Sequence, residues 1–340
     1  MGYRVSPGSL RLREMSGFGG SRELAGRRAF GCALQIEGTP GRDLISSRIR
    51  IDGEWVPSGF ELLTRVFRMS SSKRSAPFVL VASNHGTLIV NRNDFCTDGK
   101  GTAWGVGYQI LETGSHDQQE VDFILSLLER RRKSFGDGVV ALDCGANIGV
   151  HTVEWARAMH GWGEVIAFEA QEKIFYALAG NIVINNCLNV SARHCALGAE
   201  CGQIEIPEPD YLLPASFGSF ELRETAKTEF IGQDIDYQKT RPVPQVSVDS
   251  LGLKRLDLMK IDVEGMEEDV LKGAAESIRK HSPVMMIEVL KTDGAAIEKT
   301  LSAVGYKVYP LGYMLLAVHT SDPLARNIRF ENGALSLGQL

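Results

Sequence analysis

From Gly138 onward, short apolar runs alternate with longer segments of helical periodicity, and this alternation constrains the fold more than any other feature. The apolar runs predict buried strands at 139–143, 164–169, 190–197, 256–262 and 283–290. The intervening segments predict helices at 149–160, 171–186, 266–280 and 294–303. Because parallel neighbours need crossover connections, repeated strand–helix units predict an α/β fold with a mostly parallel sheet and helices on both faces. The runs YKVYP and YMLLAVH predict a closing hairpin, turned near 310–312, that adds one antiparallel strand.

A smaller β-rich region is predicted ahead of this main region. Strand-like runs lie at 78–83, 86–91 and 105–112. Ser115, with Gln118 three residues later, has the pattern of a capping box for an amphipathic helix over 117–133. Upstream, SRIRIDGEW predicts a hairpin around Asp52-Gly53, 59–69 predicts a helix, and the Gly-, Arg- and Ser-rich residues 1–30 predict disorder. We therefore expect four regions. A basic, partly disordered N-terminal region covers 1–75, and a β-rich lead-in with its helix covers 76–134. The main domain covers 135–320, and a C-terminal tail covers 321–340.

Charge is distributed unevenly along the chain and limits the possible partners. The net charge is −5, but residues 1–75 carry 13 Lys and Arg against 7 Asp and Glu, a net charge of +6. The remainder therefore carries a net charge of −11. Binding to a nucleic-acid backbone needs a basic surface, so an acidic main region argues against nucleic acid as a partner.

The cysteines and the short apolar runs indicate the compartment. Six cysteines occur without a CxxC pair, and Cys144 and Cys187 lie in apolar stretches, which predicts buried free thiols in a reducing cytoplasm. His194, Cys195 and Cys201 could suggest zinc, but no second ligand pair follows at metal spacing, so strand packing is the favoured interpretation. No apolar run approaches the roughly 18 residues of a membrane-spanning helix. We expect a cytoplasmic protein without a transmembrane segment.

The strongest motif for chemistry follows the first strand of the main region. It reads Asp143-Cys144-Gly145-Ala146-Asn147-Ile148-Gly149, in which a buried strand ends in an acid, turns through two glycines and opens a helix. Gly145 would allow backbone to approach a ligand closely, and Gly149 would allow the helix to begin close to the strand. Open α/β sheets bind ligands at such strand ends, although an ordinary glycine turn would look the same.

Glu169 ends the next strand and suits a ribose diol, because a carboxylate can accept hydrogen bonds from both hydroxyls. NAD enzymes use the same device, so this residue does not choose between cofactors. The turn reads GANIG and not GxGxxG, and Asp143 just before it would repel a pyrophosphate. The ammonium group of S-adenosylmethionine (SAM) would be attracted by that carboxylate, which favours SAM.

A third motif, KIDVEGME over 260–267, delivers Asp262 and Glu264 to the same end of the sheet. Glu288, within the next apolar run, points to the same region. Unpaired carboxylates are seldom buried, so three of them near one strand edge are hard to explain by packing.

Four segments resemble, in the same order, the FkbM-type family of SAM-dependent methyltransferases. They read ALDCGANIGVHT, VIAFEAQ, LMKIDVEGMEEDVLKGA and MMIEV. The resemblance covers about 138–319 and implies a seven-stranded Rossmann-like methyltransferase fold with a C-terminal antiparallel strand. It also implies methyl transfer to a hydroxyl, often on a sugar or a polyketide-type metabolite. Residues that match the SAM-binding turn are Asp143, Gly145, Ala146, Asn147 and Gly149. Glu169 matches the ribose-binding acid, and Asp262 and Glu264 match the acids of the fourth strand, of which Asp262 is also expected to bind the cofactor.

Methyl transfer to a hydroxyl needs a base for the hydroxyl proton, and Glu264, Glu288 and Asp262 are the candidates. His151 is a less favoured alternative, expected to be a helix-face residue near the cofactor. No essential metal is expected. Mg²⁺ is a competing interpretation of the carboxylates, and Glu264 could instead only cap the following helix. An NAD-dependent oxidoreductase and a catalytically silent SAM-binding module stay open as alternatives, and neither the acceptor nor the oligomeric state can be predicted.

Overall fold

A computed structural model describes residues 35–37, 48–51, 54–57, 75–98, 100–331 and 334–338. The chain divides into two compact units, Met1–Arg74 and Ser75–Leu340. In the first unit, three strands form an antiparallel sheet in the order β1 (Gln35–Glu37), β2 (Arg48–Ile51) and β3 (Glu54–Pro57). Strands β2 and β3 are the two arms of the predicted hairpin. The predicted disorder over 1–30, the turn at Asp52-Gly53 and the predicted helix over 59–69 lie outside the described residues.

The second unit begins with short antiparallel pairs and two helices. Their bounds are β4 (Phe78–Ser83), β5 (Gly86–Asn91), β6 (Cys96–Thr97), β7 (Ala103–Trp104), α1 (Val106–Thr113) and α2 (Gln118–Phe135). Strand β4 pairs with β5, and β6 with β7. The predicted strands at 78–83 and 86–91 are confirmed, as is the amphipathic helix, which buries Val121, Ile124, Leu127 and Leu128 on one face.

The main sheet has seven strands in the spatial order β10-β9-β8-β14-β15-β17-β16. The strands are β8 (Val139–Cys144), β9 (Gly163–Glu169), β10 (Val190–His194), β14 (Leu258–Ile261), β15 (Val284–Glu288), β16 (Tyr306–Leu311) and β17 (Met314–His319). Strand β17 is antiparallel to both neighbours, and the other pairs are parallel. This confirms the expected α/β fold, a Rossmann-like methyltransferase fold with a C-terminal antiparallel hairpin.

Helices cover both faces of the sheet, as the strand–helix alternation predicts. They are α3 (Val150–Ala158), α4 (Glu172–Ile184), α5 (Glu267–Lys272), α6 (Ala275–His281) and α7 (Gly294–Ala303). Alternate residues of β8 point to opposite faces. Ala141 packs in a cluster with Ile124 of α2 and Trp155 of α3, whereas Leu142 packs with Ile278 of α6 and Ile297 of α7. The strand order reverses between β8 and β14, so the carboxyl ends of these strands flank a crevice in which such sheets bind ligands.

A separate small sheet and a C-terminal hairpin complete the unit. Strands β11 (Ala196–Leu197), β12 (Gly202–Pro207) and β13 (Thr240–Val246) form the small sheet, and β18 (Ile328–Glu331) pairs with β19 (Ala334–Leu337). Short 3₁₀ helices lie at Phe217–Ser219, Asp249–Leu251 and Pro323–Arg326. In the part of the chain that the structure describes, no helix combines the length and the apolar character needed to cross a membrane. The predicted domain boundaries stay predictions.

Residues 105–112, predicted as a strand, form helix α1 instead, and this prediction is wrong. Gly105 precedes the helix at φ 141°, and the N–H of Gly107 donates to Asp94 Oδ2 at 2.9 Å. A Cβ on Gly107 would lie 2.3 Å from the carbonyl oxygen of Asn91. This tertiary contact, together with burial of Ile110, outweighs the strand propensity of the valine, tyrosine and isoleucine in the run.

Three other local features differ from prediction. The predicted helix over 266–280 is broken at Gly273, where a Cβ would lie 2.1 Å from the carbonyl oxygen of Gly198. The predicted strand over 190–197 divides near Cys195, and its last residues pair with β13. The capping box is not formed, since Asp117 is the N-cap of α2 and Ser115 donates instead to the Gln118 side chain at 3.1 Å.

Candidate active site

A cavity of about 420 Å³ lies at the carboxyl ends of the central strands. Its lining includes Asp143 of β8, Glu169 of β9 and Glu288 of β15. The predicted site residues that line it are Asp143, Gly145, Ala146, Asn147, Glu169, Asp262, Glu264 and Glu288. The fold therefore brings together all the predicted site residues except Gly149.

The two glycines of the turn serve close packing within the protein. Gly145 has φ 85°, and a Cβ there would lie 1.8 Å from the carbonyl oxygen of Asp262. The expected close approach at Gly145 is thus to the backbone after β14, although the residue also lines the cavity. Gly149 has φ 90°, and a Cβ there would meet Leu178 Cδ1 at 2.5 Å, so this glycine packs against helix α4.

Asp143 is a buried acid with one oxygen left unpaired. Its side chain is 1% exposed, and Oδ2 accepts from the hydroxyl of Thr152 at 2.5 Å. Oδ1 is buried and has no hydrogen-bond partner. Burial raises the pKa of Asp143, whereas Lys260 nearby lowers it. A buried acceptor without a donor is costly, so Oδ1 offers a place for a cationic or hydrogen-bonding group of a ligand.

Glu169 is held by backbone donors on both sides of the carboxylate. The N–H of Asn147 donates to Oε2 at 2.9 Å, and the N–H of Gln171 donates to Oε1 at 2.7 Å. Each carboxylate oxygen can accept a further hydrogen bond, so both remain able to receive ligand hydroxyls. Burial raises the pKa of Glu169 to about 7, and these backbone donors act against that rise.

Asp262, Glu264 and Glu288 place one carboxylate oxygen each within 4.8 Å of one another. Two of them are paired with lysines, because Lys260 Nζ donates to Asp262 at 2.6 Å and Lys291 Nζ lies 2.7 Å from Glu264. Glu288 is 8% exposed and has no ion-pair or hydrogen-bond partner among the described residues. The cluster thus contains two neutralised acids and one free acid.

The free acid has the pKa suited to proton transfer. Burial raises the pKa of Glu288 to about 8, with a further contribution from Asp262, while Lys260 and Lys291 lower it. A base works best when its pKa lies near the operating pH. Burial also raises the pKa of Glu264 well above its usual range, in opposition to Lys291.

Glu264 does not cap the following helix. It has φ 55° and pairs with Lys291, whereas the N-cap of α5 is Met266. The carboxylate at the start of this helix is that of Glu267, which accepts from the N–H groups of Val263 and Gly265, each at 3.1 Å.

Lys260 is the residue of this site that sequence reasoning missed. It lies in β14, is 4% exposed and lines the cavity. Burial lowers its pKa, but the carboxylates of Asp262, Glu120 and Asp143 outweigh this effect and raise it above 10.5. The available signal was a charged side chain inside the apolar run LMKI, since a lysine is almost never fully buried unless it is paired.

His151 lies at the cavity edge beside Glu120, whose Oε1 is 3.4 Å from Nε2. Its Nδ1 is buried without a partner, and its ring lies against Trp155 with centroids 5.6 Å apart. Burial, followed by Lys260, lowers the pKa of His151 well below 6.5, so the imidazole is neutral at pH 7.

The cysteines form no metal site among the described residues. In that part of the chain, Asp262, Glu264 and Glu288 are the one set of three or more ligand side chains close enough to share an ion. His194 Nε2 lies 3.1 Å from the carbonyl oxygen of Ala170, and its ring stacks on Phe175. Cys195 is buried and Cys201 is exposed, and both are free thiols, as are Cys96, Cys144 and Cys187.

Comparison with known proteins shows what the region around the cavity is similar to. The Methyltransferase FkbM domain matches residues 143–308. "Methyltransferase sdnD" of Sordaria araneosa is 27% identical over 191 residues, which cover 49% of this chain and 73% of that protein. "Methyltransferase 1" of Beauveria bassiana (strain ARSEF 2860) is 28% identical over 191 residues, which cover 51% and 74%.

Among solved structures, Methyltransferase FkbM from Methylobacillus flagellatus KT aligns with 15% identity and a TM-score of 0.38. That alignment covers 54% of this chain and 43% of the other, less than half of the other protein's length. The family match begins at the acid of the glycine turn and includes the KIDVEGME motif and Glu288. The chain therefore contains a methyltransferase domain that matches the FkbM family over residues 143–308.

Proposed function

We propose that this protein transfers the methyl group of SAM to a hydroxyl of a small molecule, either a sugar or glycan unit or a secondary metabolite. The observation that carries the proposal is the unpaired buried oxygen of Asp143, in the same cavity as Glu169 and the free carboxylate of Glu288. A cofactor with one ammonium and one ribose diol matches the first two acids, and an acceptor hydroxyl matches the third.

Asp143 and Glu169 would hold the two ends of the cofactor. Asp143 Oδ1 would accept from the ammonium of SAM, which satisfies a buried acceptor that has no partner within the protein. Glu169 would accept from the ribose hydroxyls with the lone pairs that Asn147 and Gln171 leave free. Gly145, Ala146 and Asn147 would provide the backbone surface between these two contacts.

When bound, SAM would supply an electrophilic methyl group for the acceptor oxygen, with SAH as the leaving group. The task of the protein is to position the acceptor oxygen and remove its proton. Glu288 is the favoured base because its pKa is near 8 and no cation occupies its carboxylate. Lys260 and Lys291 hold Asp262 and Glu264, which suits these two acids to accept hydrogen bonds from neighbouring acceptor hydroxyls.

The three acids also suggest Mg²⁺, since hard cations favour clustered carboxylates. The two lysine ammonium groups already neutralise two of the three ligands, which opposes a divalent ion in the same place. We therefore propose that no metal is required. Loss of activity with a chelator, restored by Mg²⁺, would contradict this part of the proposal.

Cofactor binding is tested by titration calorimetry of SAM, S-adenosylhomocysteine (SAH) and NAD against wild type, Asp143→Ala and Glu169→Ala. Hydrogen bonds to charged groups contribute about 1.5–3 kcal/mol, so each variant should bind SAM and SAH roughly 10- to 150-fold more weakly. Glu164→Gln, an exposed acid on the same strand as Glu169, is the matched control and should bind normally. Unchanged affinity in both alanine variants would exclude this site, and preferential NAD binding would favour an oxidoreductase.

The base is tested with Glu288→Gln and Glu264→Gln, which preserve shape and remove the ionisable group. Turnover is measured as SAH release with the best acceptor from a panel of sugars and polyketide-type alcohols. Glu288→Gln should lose roughly 10²–10⁴-fold in turnover, which is the usual size of a general-base contribution. Its SAM affinity should be unchanged. Wild-type turnover should rise with pH through about 8, where Glu288 becomes ionised. Normal turnover in both variants would exclude these bases. SAM binding without methyl transfer to any acceptor would favour the silent binding module.

A further inference from the structure

Besides the two acids assigned to the cofactor, three carboxylates of the cavity lining form no ion pair with a lysine or arginine among the described residues. We call them the acceptor acids: Asp117, Glu120 and Glu288. Asp117 Oδ2 lies 3.3 Å from His116 Nε2, and Glu120 Oε1 lies 3.4 Å from His151 Nε2. Burial lowers the pKa of both histidines below 6.5, so at pH 7 they contribute no positive charge. Glu288 is nine-tenths buried and has no hydrogen-bond partner among the residues the structure describes.

One aromatic side chain of the lining lies beside Glu288. Glu288 is opposite Met314 in the register of β15 and β17, and the N–H of Val289 donates to the carbonyl oxygen of Tyr313 at 2.9 Å. Burial, followed by the charges of Asp117, Glu120 and Glu288 and opposed by Lys260, raises the pKa of Tyr313 to about 12. Tyr313 and the three acids line one cavity, although the acids come from α2, its N-cap and β15. Trp104 contributes a second aromatic surface to the lining.

The lysines near this part of the cavity are fewer than its acids. Lys260 pairs with Asp262 at 2.6 Å and also lowers the pKa of Glu120 and of Glu288. Lys291 pairs with Glu264 at 2.7 Å and with Glu229 at 3.5 Å. Over the described residues, the cavity lining contains no other lysine and no arginine. A carboxylate or phosphate group on an acceptor would meet further acids, whereas an ammonium group would find carboxyl groups that can ionise beside it and aromatic faces, both of which attract cations.

We propose that the acceptor is a hydroxyl compound that carries a protonated amine, and that this amine binds between the acceptor acids and Tyr313. The inference rests on the proposed function, because it takes the cavity to hold SAM and a hydroxyl acceptor together. Binding of the amine at this place would also affect the ionisation of the proposed base. An ammonium group close to Glu288 stabilises the carboxylate form, so binding of the correct acceptor would convert the buried acid into the base that the reaction needs.

The experiment measures binding of matched sugars to the full chain saturated with SAH. The probes are glucosamine, glucose and glucuronate, which present similar hydroxyls with positive, zero and negative charge. We expect glucosamine to bind roughly 10- to 100-fold more tightly than glucose, the size of a hydrogen bond to a charged group, and glucuronate more weakly than either. Calorimetry in buffers of different ionisation enthalpy should show net proton release with glucosamine at pH 7.

Two variants and a control link the preference to the acceptor acids. Asp117→Asn and Glu120→Gln should each reduce the preference for glucosamine over glucose several-fold while SAH affinity is kept. Glu112→Gln removes an exposed acid outside the cavity lining and should leave the preference unchanged. Thermal unfolding of each variant shows whether the fold is retained.

The outcomes separate this inference from the proposed function. Failure to bind SAH would refute the proposed function itself. Normal SAH binding with equal affinity for the three sugars, tighter binding of glucuronate, or no binding of glucosamine would overturn the inference and leave the proposed function standing.

Discussion

Lys260→Met is expected to destabilise the protein strongly, although a lysine would ordinarily be a surface residue. The substitution keeps most of the apolar stem and removes the ammonium group. That group is the partner of Asp262 at 2.6 Å, and it also acts on the buried carboxylates of Glu120 and Asp143. Without it, three acids around the cavity would face one another with no compensating charge from β14.

The expected loss in the free energy of unfolding follows from the burial of the Lys260–Asp262 ion pair. Removing one member of a buried ion pair costs about 3–5 kcal/mol, because the remaining charge is left uncompensated. The side chain of Asp262 is 27% exposed and can be partly hydrated, so we expect a value near the lower end, about 3 kcal/mol. In a domain of this size class, that loss corresponds to a decrease in Tm of roughly 6–12 °C.

The assay is urea unfolding at pH 7, with Lys272→Met as the matched control. Lys272 pairs with Asp269 at 3.3 Å within one helix, but its side chain is 62% exposed, so its removal should cost only about 0.5 kcal/mol or less. Adding Asp262→Asn to Lys260→Met should restore part of the stability, since the uncompensated charge is then removed. Equal losses in the two lysine variants would refute the reasoning.

The pH dependence provides a second check on the same residue. The pKa of Lys260 is raised above 10.5 in the folded protein. Its stabilising contribution is therefore fully present below the unfolded pKa and is lost as the pH rises through the folded pKa. The difference between wild type and Lys260→Met should therefore decrease in strongly alkaline solution, where the ammonium group loses its proton.

Two further predictions concern the glycine turn and Glu169. Gly145→Ala should prevent folding or cost several kcal/mol, because its Cβ would collide with the backbone carbonyl oxygen of Asp262. Gly149→Ala has a similar positive φ but meets a side-chain methyl of Leu178 and no backbone atom, so it should cost less. Thermal unfolding ranks the two variants, and the reverse order would contradict this account. The pKa of Glu169 is raised from 4.5 to about 7, so between these values the folded state binds more protons and stability decreases as the pH rises. Glu169→Gln should lack this decrease in urea titrations, and an unchanged pH profile would contradict it.

Sequence periodicity predicted the main sheet well because its strands are buried on both faces and its helices are amphipathic. The prediction failed where a tertiary contact opposes local preference. At 105–112, Asp94 and the backbone of Asn91 hold the chain in a helix that its composition does not favour. At Gly273, contact with Gly198 interrupts a segment whose periodicity is continuous. The contacting residues lie more than ten positions away in the sequence in both cases, so no local pattern could have indicated the helix at 105–112 or the break at Gly273.

The sequence by itself determined the fold class, the resemblance to FkbM-type methyltransferases and the strand-end acids of the cavity, because strand ends of a parallel sheet meet at one edge wherever the motif lies in the chain. Only the tertiary structure decided what each acid can do. Asp262, Glu264 and Glu288 look equivalent in sequence, yet lysines neutralise the first two and leave the third free. The acceptor acids Asp117 and Glu120 had no motif at all, and only the packing of α2 against the sheet places them in the same cavity as Glu288. Charge state depends on distance and burial, and these are properties of the folded chain.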